Sequence, residues 1–239
     1  MFRPQVVWFP AAQASERALA ESSAWLDADE RARAARFATL AAARDFVAGR
    51  WLLRKELARW TAIPPAAWRF ELDDHGRPRP VPSEPTQVAP PSINLSHGGG
   101  LIAVASCAGG VIGVDVEDVG RALPSRRLER FLAREEYSDL ERLDGRARLD
   151  RFWRTWTLKE AYPKARGTGI AGSLSSFAIG FDAADRPRFL RRDGADGDDV
   201  QWRLFECRPT ETTRLGIACS GTGLAEGEPV LRRCDEALS

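Results

Sequence analysis

Three stretches of the chain carry residues whose types and spacing could do chemistry. In Val111-Ile112-Gly113-Val114-Asp115-Val116-Glu117, strand alternation puts Gly113, Asp115 and Glu117 on one face and Ile112, Val114 and Val116 on the other. Two carboxylates about 6 to 7 Å apart along a strand, anchored by an apolar face, suit a hard cation that also takes phosphate and water. Taken alone, the same pattern describes a solvated edge with harmless charges. In Phe152-Trp153-Arg154-Thr155-Trp156-Thr157-Leu158-Lys159-Glu160-Ala161-Tyr162-Pro163-Lys164, helical geometry brings Glu160 and Lys164 to one face. Alone, that is also an ordinary surface pair worth a few tenths of a kcal/mol. In Asn94-Leu95-Ser96-His97-Gly98-Gly99-Gly100 a strand end runs into glycines, where amides, a hydroxyl and an imidazole can take a phosphate. The other reading there is a hairpin turn with a capping histidine. His75, beside Gly76, reads as a turn residue, and Trp153 and Trp156 read as core.

Periodicity and punctuation give the elements that must position these groups. Residues 26–60 set Phe37, Leu40, Phe46, Leu53 and Leu57 at helical spacing, which predicts two helices. Gly49 lies inside the second, where glycine costs about 1 kcal/mol relative to alanine and so hints at close packing. A strand at 68–72, a turn at 73–76 and a Pro-rich surface segment at 78–91 follow. Strands at 93–96 and 101–106 flank the Gly98-Gly99-Gly100 turn, and a strand at 111–117 leads to helical patterns at 124–143 and 150–165. Strand chemistry returns at 177–181, 201–207 and 214–220, and the tail after Gly221 reads as loosely held.

The two halves echo each other. Trp51-Leu52-Leu53-Arg54 matches Trp156-Thr157-Leu158-Lys159, and the aromatic strand Trp68-Arg69-Phe70 matches Phe177-Ala178-Ile179. The turns Gly76-Arg77-Pro78-Arg79 and Asp185-Arg186-Pro187-Arg188 correspond, as do Ala103-Val104-Ala105-Ser106 and Ile217-Ala218-Cys219-Ser220. The expected architecture is α+β: two similar α/β subdomains, 1–112 and 113–222, related by a pseudo-twofold axis, with a tail at 223–239. The seam between such halves is a favoured place for a ligand cleft.

Thirty-five Lys plus Arg nearly balance 34 Asp plus Glu, so no global field draws nucleic acid or an anionic membrane, and any anion site must be local. Lys55, Lys159 and Lys164 are the only lysines. Eight Trp and eleven Phe among 239 residues can fill a real core. Cys107, Cys207, Cys219 and Cys234 show no C-x-x-C spacing and have no nearby His, so free thiols in a reducing compartment are expected. The opening apolar run breaks at Pro10, and no later stretch approaches a membrane span, which reads as a soluble, cytoplasmic protein.

The order of the blocks is what narrows the function. Asn94-Leu95-Ser96-His97, then Gly113-Val114-Asp115-Val116-Glu117, then Trp156-x-x-Lys159-Glu160-Ala161-x-x-Lys164 resemble the 4'-phosphopantetheinyl transferase superfamily, whose defining motifs are the second and third blocks. The similarity runs from about Arg33 to Phe181 and takes in Phe131-Leu132-Ala133-Arg134-Glu135-Glu136-Tyr137. Length and duplication resemble the surfactin-synthetase-activating branch, a monomeric pseudo-dimer. The resemblance implies transfer of the 4'-phosphopantetheine arm of coenzyme A to a serine of an apo acyl or peptidyl carrier protein, with adenosine 3',5'-bisphosphate released. It implies Mg²⁺ held by Asp115, Glu117 and Glu160, with Glu160 as base toward the serine and Lys164 as stabiliser or proton donor for the leaving phosphate. Arg33, Arg77, Asn94, Ser96, His97, Lys159 and Lys164 would hold coenzyme A.

Two departures from the family pattern carry expectations. Pro163 stands where the family has an apolar residue; it loses a helical hydrogen bond and crowds the carbonyl of Lys159, so a kink is expected between Glu160 and Lys164. At the amino-terminal phosphate contacts one family lysine is replaced by Arg33, and another position holds Glu30, which cannot serve. Three carboxylates and a lysine also suit a metal-dependent phosphodiesterase or nuclease, although balanced charge and the lack of a basic aromatic stripe count against nucleic acid. A carrier-binding module without catalysis is a third reading, motivated by Pro163.

Overall fold

The computed structural model describes residues 2–74, 76–123, 128–168, 174–192 and 200–235. His75, residues 124–127 of the expected helical pattern, the Asp/Gly segment 193–199 and residues 236–239 lie outside them. The first half runs β1 (Gln5–Pro10), α1 (Glu16–Trp25), α2 (Ala28–Ala35), α3 (Leu40–Thr61), β2 (Trp68–Leu72), β3 (Pro78–Pro82), β4 (Ser92–Gly98) and β5 (Leu101–Cys107). The second runs β6 (Val111–Asp118), α4 (Arg134–Glu141), α5 (Gly145–Arg166), β7 (Ala178–Phe181), β8 (Pro187–Arg191), β9 (Trp202–Thr210) and β10 (Thr213–Ser220), followed by β11 (Val230–Arg233).

The duplication read from the sequence is present in the topology. Strands β1-β5-β4 form one antiparallel sheet and β6-β10-β9 another, in the same relative order. Each half adds a two-stranded ribbon, β2-β3 or β7-β8, and one helix of 22 residues, α3 or α5. The sheets meet through Leu101, Ala103 and Ala105 of β5 and Ile112, Val114 and Val116 of β6. On the far face of β5, Ile102 and Val104 pack against Trp51 and Leu53 of α3. On the far face of the second sheet, Leu158, Ala161 and Tyr162 of α5 pack with Ala218 and Leu204. The result is helix, sheet, sheet, helix, which explains why β5 is apolar on both faces.

β6 is an edge strand, and its outward N–H groups would be orphans without partners. The polar face of β4 supplies them: Ser92 Oγ, Asn94 Oδ1 and Ser96 Oγ accept from Ile112, Val114 and Val116 N–H at 3.3, 2.9 and 3.2 Å. This side-chain ladder, twenty residues out of step, closes the seam between the halves.

Two expectations need correction. The segment after Gly221 is tied down: β11 adds to the open edge of β1 as a parallel strand, Leu224 and Cys234 are buried, and Cys234 N–H donates to Trp8 O at 2.8 Å. The Pro-rich segment also contains a strand, because Pro78, Pro80 and Pro82 alternate along β3 and leave Arg79 and Val81 to pair with β2.

Candidate active site

The face of β6 that carries Gly113, Asp115 and Glu117 looks toward α5, as alternation requires. Gly113 is what lets α5 come down on it: a Cβ there would lie 2.1 Å from Ala161 O and 2.4 Å from Ala165 N. Gly216, opposite Asp115 on β10, plays the same part, since its Cβ would meet the Thr157 carbonyl carbon at 2.6 Å. Helix and sheet backbones therefore touch, and Glu160 and Lys164 are delivered to the acids of β6. On the other side Gly98 closes against Val116, whose carbonyl oxygen would be 2.0 Å from an added Cβ.

The cavity so formed is 480 Å³ and is lined by Ser96, His97, Asp115, Glu117, Arg121 and Lys164, with the Gly98-Gly99 backbone. Lys164 Nζ donates to Asp115 Oδ1 at 2.6 Å and to Ser96 Oγ at 3.2 Å, while Ser96 Oγ donates to Asp115 Oδ1 at 3.1 Å. Asp115 Oδ2 is buried and has no hydrogen-bond partner. Glu117 is held from two sides, by Trp156 Nε1 at 3.1 Å and by Arg121 Nη1 at 3.4 Å. Helix α5 is continuous from Gly145 through Pro163 to Arg166, and Lys164 Nζ reaches Asp115 Oδ1 at 2.6 Å. The proline lies in the last turn, where it interrupts only the end of the ladder.

Burial pushes the carboxyls of Glu117 and Glu160 above the usual carboxylate range, and the nearby Asp115 charge adds to both shifts. A raised native pKa means that the folded protein binds the proton more tightly, so stability falls as pH climbs from about 4.5, the unfolded value, through the native one. In metal-free buffer, Glu160→Gln is therefore expected to melt higher than the wild type at pH 7, with the gap closing toward pH 4. Equal melting temperatures across that range would contradict it.

Among the described residues no three His, Cys, Asp or Glu side chains are gathered closely enough to hold a metal ion. The donor set nonetheless fits a hard cation: the orphaned Asp115 Oδ2 and two carboxyls raised by burial and by the Asp115 charge are what such an ion relieves.

The structure brings Ser96, His97 and Lys164 to this cavity, but not the other expected coenzyme contacts. Asn94 is used in the seam. Arg33 is exposed on α2 and lines a separate 1540 Å³ cavity between α2 and β2. Arg77 is committed to carbonyls at the end of α5 and to β4. Lys159 is the clearest correction: its Nζ is fully buried, 2.7 Å from Glu136 Oε2 and 2.9 Å from Phe177 O. Glu136 in turn accepts from Ala133 and Ile179 N–H, each at 2.7 Å. The first half repeats this device, with Glu30 accepting from Asp27 N–H and pairing with buried Arg54 at 2.6 Å. Lys159→Ala strands a buried carboxylate and is expected to cost about 3 to 5 kcal/mol of stability. A denaturant midpoint unchanged from wild type would refute that.

Trp156 was a miss of a different kind. It does pack against Phe152 and Phe131, as a core residue would, yet its indole also holds Glu117. Its position one helical turn before Glu160 carried the signal.

Two family models match the chain. The model for the 4'-phosphopantetheinyl transferase superfamily matches residues 111–218, and that for the 4'-phosphopantetheinyl transferase N-terminal region matches residues 8–109. The chain is 32% identical over 212 residues to the 4'-phosphopantetheinyl transferase HetI of Nostoc sp., covering 87% of this chain and 84% of that protein. It is 26% identical over 155 residues to the 4'-phosphopantetheinyl transferase Sfp of Bacillus subtilis, covering 65% and 66%. A solved holo-(acyl-carrier-protein) synthase from Bacillus anthracis, in complex with CoA (3',5'-ADP), overlays on 48% of this chain and 100% of its own at a TM-score of 0.42 and 21% identity.

Proposed function

Because the chain belongs to the 4'-phosphopantetheinyl transferase superfamily, we propose that it transfers the phosphopantetheine arm of coenzyme A to the serine of an apo carrier protein, acyl or peptidyl, and releases adenosine 3',5'-bisphosphate. The observation that carries this reading is the Ser96-Asp115-Lys164 cluster, with one carboxylate oxygen left unpartnered in a cleft between the halves.

Asp115, Glu117 and Glu160 would hold Mg²⁺, which when bound supplies charge neutralisation on the pyrophosphate. The remaining chemistry belongs to the side chains. Glu160 takes the proton of the attacking serine hydroxyl. The serine oxygen forms its bond to the phosphorus of the phosphopantetheine as the bond to the bisphosphate oxygen breaks. Lys164 offers an N–H to the oxygen that leaves, and Ser96 and His97, with the Gly98-Gly99 amides, bind phosphate at the cleft wall.

Incubation with coenzyme A, Mg²⁺ and an apo carrier should release adenosine 3',5'-bisphosphate in step with carrier consumed, as read by chromatography. Nucleotide release that proceeds equally without carrier would favour a phosphodiesterase instead.

A further inference from the structure

The turn of α5 that carries Lys164 is short of hydrogen bonds of its own. Pro163 has no N–H to give, and the last carbonyls of a helix have no intrahelical donor. Gly167, in the left-handed region at φ 70°, and Thr168 at 3.3 Å turn their N–H groups to the Pro163 carbonyl. The next two carbonyls are reached from the other half of the molecule. Arg77 Nη1 donates to Lys164 O at 3.1 Å and to Ala165 O at 3.4 Å, and Nη2 donates to Ile93 O at 3.2 Å and Ser92 Oγ at 3.4 Å. The base of this arm is itself fixed, because Arg77 N–H donates to Asp73 Oδ1 at 2.9 Å. A guanidinium at this end of a helix also meets the negative pole of its dipole.

We propose that Arg77 is a positioning residue: it caps the end of α5 from the opposite half and thereby holds Lys164 against Asp115 and Ser96. Its planar fork answers several oxygens on two elements at once, which an ammonium cannot do. The side chain lines an adjoining 420 Å³ cavity with Ala165, Arg166 and Gly167, not the cleft that holds Asp115. The catalytic part of the inference rests on the transfer activity proposed above; the placement of Lys164 does not.

Two measurements test it. In a double-mutant cycle, Arg77→Ala is expected to lower kcat on the order of 10- to 100-fold, as a displaced catalytic group does, with Arg77→Lys recovering part of the loss. In a Lys164→Ala background the same change should cost less than about 2-fold, because its effect runs through Lys164. Additive losses, or a higher KM for coenzyme A with kcat unchanged, would overturn the proposal. The second measurement needs no activity. With only three lysines, amine labelling followed by peptide mass spectrometry reads Lys164 separately from buried Lys159. Arg77→Ala should speed labelling of Lys164 several-fold and leave Lys159 protected. Unchanged labelling of Lys164 would overturn the proposal, and so would labelling of both, which would mean that Arg77 holds the fold at large. If the wild type transferred nothing, the functional reading would fall, and the labelling comparison would still decide whether Arg77 places Lys164.

Discussion

Asp115→Asn is expected to lower kcat for phosphopantetheinyl transfer about 100- to 1000-fold, the range that loss of one charge-stabilising group in a transition state costs. Asparagine keeps the shape of the side chain and can still accept from Ser96, so the seam ladder at Asn94 and Ser96 stays intact. What goes is the negative charge that Lys164 meets at 2.6 Å, together with a buried carboxylate oxygen that has no hydrogen-bond partner. Lys164 is about one-third exposed and can return to water, so the melting temperature should stay within a few degrees of wild type. Steady-state kinetics on the purified variant, with activity within about threefold of wild type, would remove Asp115 from the site.

Gly113→Ala should damage both stability and activity, by a different route. The added Cβ meets backbone atoms of α5, Ala161 O at 2.1 Å and Ala165 N at 2.4 Å, and backbone cannot swing aside. The helix must lift, at a cost of about 1 to 3 kcal/mol or more for overpacking. A shift of about 1 Å at Glu160 and Lys164 is enough for a further loss on the order of 100-fold in kcat. Gly49→Ala is the matched control. Its Cβ meets only side-chain atoms, Leu95 at 3.3 Å and Ile102 at 3.9 Å, and replacing a helical glycine removes a propensity penalty of about 1 kcal/mol. Thermal melts and transfer rates in which Gly113→Ala behaves like Gly49→Ala would contradict the close approach of α5 to β6.

Most of the fold was legible because its signals are local. Strand alternation placed Asp115 and Glu117 on the side that faces α5, and the paired segments of the two halves predicted the repeated element order. The misses have physical causes. Strand β1 is a short run, Gln5–Pro10, with Val6, Val7 and Phe9 all buried, so it shows no alternation to read. Strand β11 and the ribbon strand β3 form because partner edges are available, which no local pattern reports. At the site, Lys159 adjoins Glu160 in the chain but points about 100° away around the helix, into a buried pair. The duplication contained that answer: Arg54 holds the equivalent place in the first half, and it is wholly structural. Arg77 could not be placed from sequence, because its partners lie 87 and 88 residues further on.

Intact mass spectrometry of an apo carrier protein, after incubation with this protein, coenzyme A and Mg²⁺, tests the central claim most directly. The account predicts a gain of one phosphopantetheine group on the carrier, absent when its acceptor serine is replaced by alanine and absent with Asp115→Asn. A carrier mass that stays unchanged across acyl and peptidyl carriers, while the protein binds them, would contradict transfer and leave a carrier-binding module.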